Sequence, residues 1–202
     1  MKNRIFSLIF ISALALGLLS CAYLQTQQRQ LAGKLIRLHV VANSDSPSDQ
    51  TLKLQVRDAV LAAAEPVLRA ADDPEQALAG QLGTLEKAAA RTLREAGSAD
   101  TVTVTMQNER FPTRDYETFS LPAGVYRTLR VTIGAGEGHN WWCVVFPTIC
   151  TAASMDELET AAVSGGFSEA DVRLITGADS GCVLKFKTLE WLEKLKTLLW
   201  GA

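Results

Sequence analysis

A strand that breaks into a short polar turn and then into a capped helix constrains this chain more than any other feature. In "LIRLHVVANSDSPSDQTLKLQVRDAV", residues 35–60, Ile36, Leu38 and Val40 fall on one face of an extended segment and Arg37, His39 and Val41 on the other. Asn43, Ser44 and Asp45 follow as a turn. Ser46 can cap the free N–H groups of a helix, Pro47 suits its first position, and Asp49 can reach back as the acid of a capping box. Leu52, Val56, Ala59, Val60 and Ala63 then recur at helical spacing, with Pro66 predicted to end or kink the helix. Asp49, Lys53 and Arg57 lie four residues apart, the spacing of a solvated salt-bridge ladder.

The rest of the chain supplies partners for this unit. Asp73-Pro74-Glu75-Gln76 repeats the helix-start logic, Leu78, Leu82, Leu85, Ala89 and Leu93 form an apolar stripe, and Gly97 is a natural stop. Residues 101–107, 125–134 and 141–146 alternate like strands, and the glycine-rich link Gly134–Asn140 predicts an antiparallel hairpin between the last two. A further strand is predicted over 182–187 and a helix over 188–199. Clustered rather than alternating elements point to an α+β fold. The expectation is one domain over 35–202, an antiparallel sheet of strands near 35–42, 101–107, 125–134, 141–146 and 182–187, packed by helices near 47–65, 74–96 and 188–199.

The N-terminus is set apart. Lys2 and Arg4 precede an uncharged run from Ile5 to Leu19, which reads as an export signal or an N-terminal membrane anchor over 1–22. Three fates fit it: lipidation at Cys21 after "LLS", cleavage after Ser20-Cys21-Ala22, or retention as an anchor. Residues 23–34 read as a linker. With a net charge of −2 the 202-residue chain is not basic enough to make nucleic acid its main partner, and 48% hydrophobic residues suffice for a core. Beyond Cys21 there are Cys143, Cys150 and Cys182, so one disulfide is available, most simply Cys143 with Cys150.

Catalytic motifs are weak. Gly134-Ala-Gly136-Glu-Gly138 is spaced GxGxG and lies between two strands, so a hairpin loop explains it better than a phosphate cradle. Only His39 and His139 are present, without CxxC or HExxH, so neither a metal nor a cofactor is expected. A thiol hydrolase of the cell envelope, using Cys143 with His39 or His139, is the rival reading; a mid-strand cysteine among bulky neighbours is more simply structural. Trp141 and Trp142 must point to opposite faces, so one of them is a candidate exposed anchor.

The stretch 35–61, "LPAGVYRTLRVTIGAGEGHNWWCVVFPTIC" at 121–150 and "KFKTLEWLEKL" at 185–195 resemble the stage II sporulation protein R family of endospore-forming Firmicutes. The resemblance covers the whole mature chain, although Ala62–Gly97 matches only in general pattern. It implies a protein made in the forespore and exported into the space between the forespore and mother-cell membranes. There it would activate, without being an enzyme itself, a membrane-embedded aspartic protease that processes pro-sigma-E. Lipidation at Cys21 is not part of the family pattern. On this reading Arg37, His39, Asn43, Ser44 and Asp45 form a polar recognition rim, with Trp141 or Trp142 as aromatic anchor. Residues on such a solvated rim would be removable with little effect on stability.

Overall fold

The computed structural model describes residues 2–149 and 154–176. The expected strand at 182–187 and helix at 188–199, with Cys150 and Cys182, lie outside the described residues. The chain forms an α+β domain in the order α1 (Lys2–Ala32), β1 (Ile36–Val41), α2 (Pro47–Arg69), α3 (Pro74–Gly80), α4 (Leu82–Glu95), β2 (Val102–Phe111), β3 (Arg114–Asp115), β4 (Ser120–Leu121), β5 (Gly124–Ile133), β6 (Asn140–Phe146), α5 (Met155–Ser164) and α6 (Glu169–Thr176).

Among the described strands the main sheet runs β2-β5-β1-β6, with β3 and β4 as a separate two-stranded flap. It is mixed, where sequence alone suggested an antiparallel sheet. β1 runs parallel to β5, pairing Ile36 with Arg127 and Val41 with Thr132, and antiparallel to β6. Parallel neighbours need a long crossover, and α2, α3, α4 and β2 supply it here. The expected hairpin is also corrected: β5 and β6 are antiparallel but not neighbours, because β1 lies between them. Their glycine-rich link strides over the end of β1, across two strand spacings of about 4.8 Å each.

α2 starts as its sequence dictates. Ser46 is the N-cap, its hydroxyl accepts from Asp49 N at 3.1 Å, and Pro47 occupies the first turn. The helix continues through Pro66 to Arg69. The stripe at 74–96 divides at Gln81 into α3 and α4. Gly97, at φ +77°, ends α4 with Ser98 N bonding Leu93 O and Gly97 N bonding Arg94 O, the pairing of a Schellman stop.

Two cores flank the sheet. On one face Leu38, Val40, Leu129, Val131, Val104, Cys143 and Val145 meet Val56 and Val60 of α2 and Leu85 and Ala89 of α4. On the other, Phe111, Tyr126 and Val144 meet the flap, α5, α6 and the end of α1. The segment 23–34 is helical as far as Ala32, and Leu31 is fully buried in this second core. Earlier in α1, Ile11, Leu16, Leu19 and Tyr23 are exposed. Among the described residues, no helix is long and apolar enough to cross a membrane.

The link over β1 is tight. Gly134 and Gly136 have φ of +54° and +66°, a region that L side chains adopt only with strain. A Cβ on Gly138 would run into the carbonyl of Ser44. Gly138→Ala is therefore expected to lower stability by about 2 kcal/mol, measured by urea unfolding; an unchanged midpoint would show that the loop gives way freely.

Candidate functional site

The residues gathered around the β1–α2 turn divide into two groups. Asn43, Ser44 and Asp45 stand where the link crosses. The Asn43 carboxamide accepts from Ala135 N at 2.9 Å and donates to Asp49 Oδ2 at 3.2 Å. Ser44 Oγ donates to the same Asp49 oxygen at 2.6 Å. Asp45 accepts from the backbone N–H of His139 at 2.6 Å and pairs with its ring Nδ1. Glu137 N and Gly138 N donate to the carbonyls of Asn43 and Ala42. Two loops are thereby clasped together. The His139 side-chain and backbone hydrogen bonds hold the Asp45 carboxyl below its ordinary range, and the Ser44 hydroxyl does the same for Asp49.

Asp49, Lys53 and Arg57 do not form the expected solvated ladder. Lys53 is buried and donates to the His139 carbonyl at 2.9 Å and to Gln50 Oε1 at 2.5 Å. Burial lowers its pKa. Arg57 pairs with Asp58 at 2.8 Å and lies over the Trp141 ring, 4.5 Å from its centroid.

Arg37 and His39 are not on a solvated rim. Arg37 is 0% exposed. Its Nε donates to Cys143 O at 3.0 Å and its Nη2 to the Tyr116 hydroxyl at 2.8 Å. Its guanidinium lies over Phe111 at 4.3 Å and near Tyr126 at 5.1 Å. His39 is also buried, with Nδ1 at 2.6 Å from Glu109 Oε2 and Nε2 at 2.8 Å from Asn140 Oδ1. The other Glu109 oxygen accepts from Arg130 at 3.0 Å. Burial pushes the Glu109 carboxyl up, but the hydrogen bonds from Arg130, His39 and Gln107 outweigh it and leave a net lowering. Burial raises Tyr126 to about 12. The off-core face of β1 is thus the sheet side of a second core, closed by the flap and the helices. Sequence reasoning missed Glu109, Arg130, Tyr116 and Asn140. The available signal was that β2 and β5 carry Glu109, Phe111, Tyr126 and Arg130 on the same alternate parity as Arg37 and His39.

The tryptophans part company as strand geometry demands. Trp142 joins the second core beside His39 and Phe111, with Arg114 stacked 3.9 Å from its centroid. Trp141 is 38% exposed. Cys143 belongs to the first core, whereas His39 belongs to the opposite face, and His139 sits in the clasp, so the thiol meets neither imidazole. Among the described residues no group of three His, Cys, Asp or Glu could hold a metal ion. The site therefore offers a polar, loop-clasped end with Trp141 exposed beside it.

Two measurements check this geometry. Arg37→Ala should destabilise the fold by on the order of 3 kcal/mol, since it leaves buried acceptors unpaired and a cavity among aromatic rings; an unchanged urea midpoint would return Arg37 to the surface. Glu109, with an ordinary value of 4.5 and a lower one when folded, contributes stability that is present above about 4.5 and lost as pH falls through the folded value. The thermal transition should drop as pH falls below that point, and Glu109→Gln should flatten the drop.

No solved structure matches the chain. The stage II sporulation protein R of Bacillus subtilis (strain 168) is 28% identical over 222 residues, covering 96% of this chain and 99% of that protein. A family model described as stage II sporulation protein R matches residues 32–156, which takes in β1, the clasp, both tryptophans and the start of α5. The chain belongs to the stage II sporulation protein R family.

Proposed function

We propose that this protein is an exported sporulation signal, made in the forespore, that activates a membrane-embedded aspartic protease of the mother cell and so triggers processing of pro-sigma-E. Family membership over residues 32–156 carries the reading. Lys2 and Arg4 ahead of the apolar run from Ile5 to Leu19 support export. The separation of Cys143 from both histidines favours binding over thiol chemistry. An activator needs a surface that fits the active state of its receptor better than the resting state, and a clasped loop end presents such a surface without first having to order itself. Asn43, Ser44 and Asp45 contribute by fixing that end, with Arg37 and His39 holding the strand behind it.

The protease and pro-sigma-E produced together in a heterologous cell, with and without the full-length chain, test the proposal. Cleavage should appear only when the chain is present and exported. Cleavage that is equal without it would remove the activator role.

A further inference from the structure

From the placement of Trp141 we infer that the docking surface is the clasped pole of the domain, and that its counterpart is a protein segment presenting an arginine or lysine side chain. This rests on the activator reading above and specifies the surface and the chemistry of the contact. Three observations carry it.

The first is topological. α1 joins β1 at Ile36, where β5 supplies Arg127; the clasp lies beyond Val41 at the other end of the strand, where β6 supplies Asn140, and Trp141 stands beside Val40 next to it. Six residues of β1 separate the two ends by about 20 Å. The end of α1 therefore stands at the far pole, where Gln28 also lies against Gly124 at the start of β5, and the clasped pole is at the opposite end of β1.

The second is the ring itself. Among the described residues Trp141 is a large apolar side chain exposed at this pole, and Arg57 over it leaves 38% of the residue accessible. An indole face attracts cations. Arg57 shows that a guanidinium fits here, and the accessible remainder can take a second one from a partner.

The third is charge. Asp58 pairs with the arginine over the ring, and Asp45 and Glu137 stand exposed in the neighbouring clasp, with His139 exposed and paired to Asp45. Lys53 is turned inward to the His139 carbonyl and Arg57 is already paired with Asp58. The face offered to a partner is thus an aromatic surface within an acidic surround, complementary to a cationic side chain. Trp142, buried against His39 and Arg114, takes no part.

The test uses the full-length chain with the protease and pro-sigma-E. Trp141→Ala should lower cleavage at least about tenfold, as loss of an interface tryptophan commonly does, and Trp141→Phe should keep most of it. Asp58→Lys, which reverses an exposed charge and breaks the ion pair with Arg57, should also lower it about tenfold, and Asp58→Glu, which keeps the charge, should not. Thermal unfolding of each variant is read alongside. A photoreactive benzoylphenylalanine at Trp141 should crosslink to the protease, and one at exposed Asn108 on the opposite edge of the sheet should not. Cleavage at the original level with Trp141→Ala or Asp58→Lys overturns the docking surface. So does a crosslink at Asn108 without one at Trp141, and both results leave the activator reading standing. Failure of the unmodified chain to induce any cleavage overturns the activator reading itself, and the docking surface with it.

Discussion

The structure turns on β1 being buried on both sides. All six of its residues, Ile36 to Val41, are inaccessible to solvent or nearly so, with a strand on either edge and a core on either face. A strand in that position usually reads as a continuous apolar run. This one carries Arg37 and His39, and polar groups placed there are costly unless bonded internally. The second core is built to meet that demand. Glu109 and Asn140 come from the two outer strands to His39, Arg130 comes from β5 to Glu109, and the Cys143 carbonyl and Tyr116 serve Arg37. A polar layer bonded in this way, in which Arg37 Nη1 alone of that guanidinium lacks a hydrogen bond, fixes the register of every strand at once, since a one-residue slip would strand each partner on the wrong face.

The clasp follows from the same topology. With β1 interposed, the link between β5 and β6 has to pass over the end of β1 and meets the turn that begins α2. Glycine at 138 lets the two backbones approach, glycine at 134 leaves room for the Asn43 side chain, and Asn43 and Asp45 bond the crossing N–H groups of Ala135 and His139. Residues that look like a reactive cluster in sequence are therefore the fasteners of a crossing. The same fastening carries His139, Asn140 and Trp141 to a defined place at one end of the domain.

Local chemistry was legible in the residues. Ser46, Pro47 and Asp49 announce the start of α2, Gly97 announces the stop of α4, and strand alternation assigns the two tryptophans to different faces. Pairing was not legible, because a local period says which side a residue faces and nothing about its neighbour across the sheet. The Gly134–Gly138 stretch has hairpin composition, yet a strand from ninety residues earlier occupies the gap. For the same reason Arg37 and His39 were assigned to solvent: polarity on one parity usually marks a wet face, and only the flap, Leu31 and α5 show that this face is covered. Lys53 and Arg57 were misread as a ladder because helical spacing omits the His139 carbonyl and the Trp141 ring, which arrive from a distant strand.

The separation between β1 and its partners also bears on how the chain comes to be folded. Arg37 and the carbonyl it binds on Cys143 are 106 positions apart, and neither edge of β1 can be paired until β5 and β6 are available. A chain threaded through a membrane from its N-terminus would deliver β1 early and leave it without either neighbour until residues near Phe146 had followed. Long-range pairing of this kind is slow to form. In a chain threaded in that way, neither core could close until the residues near Phe146 had emerged.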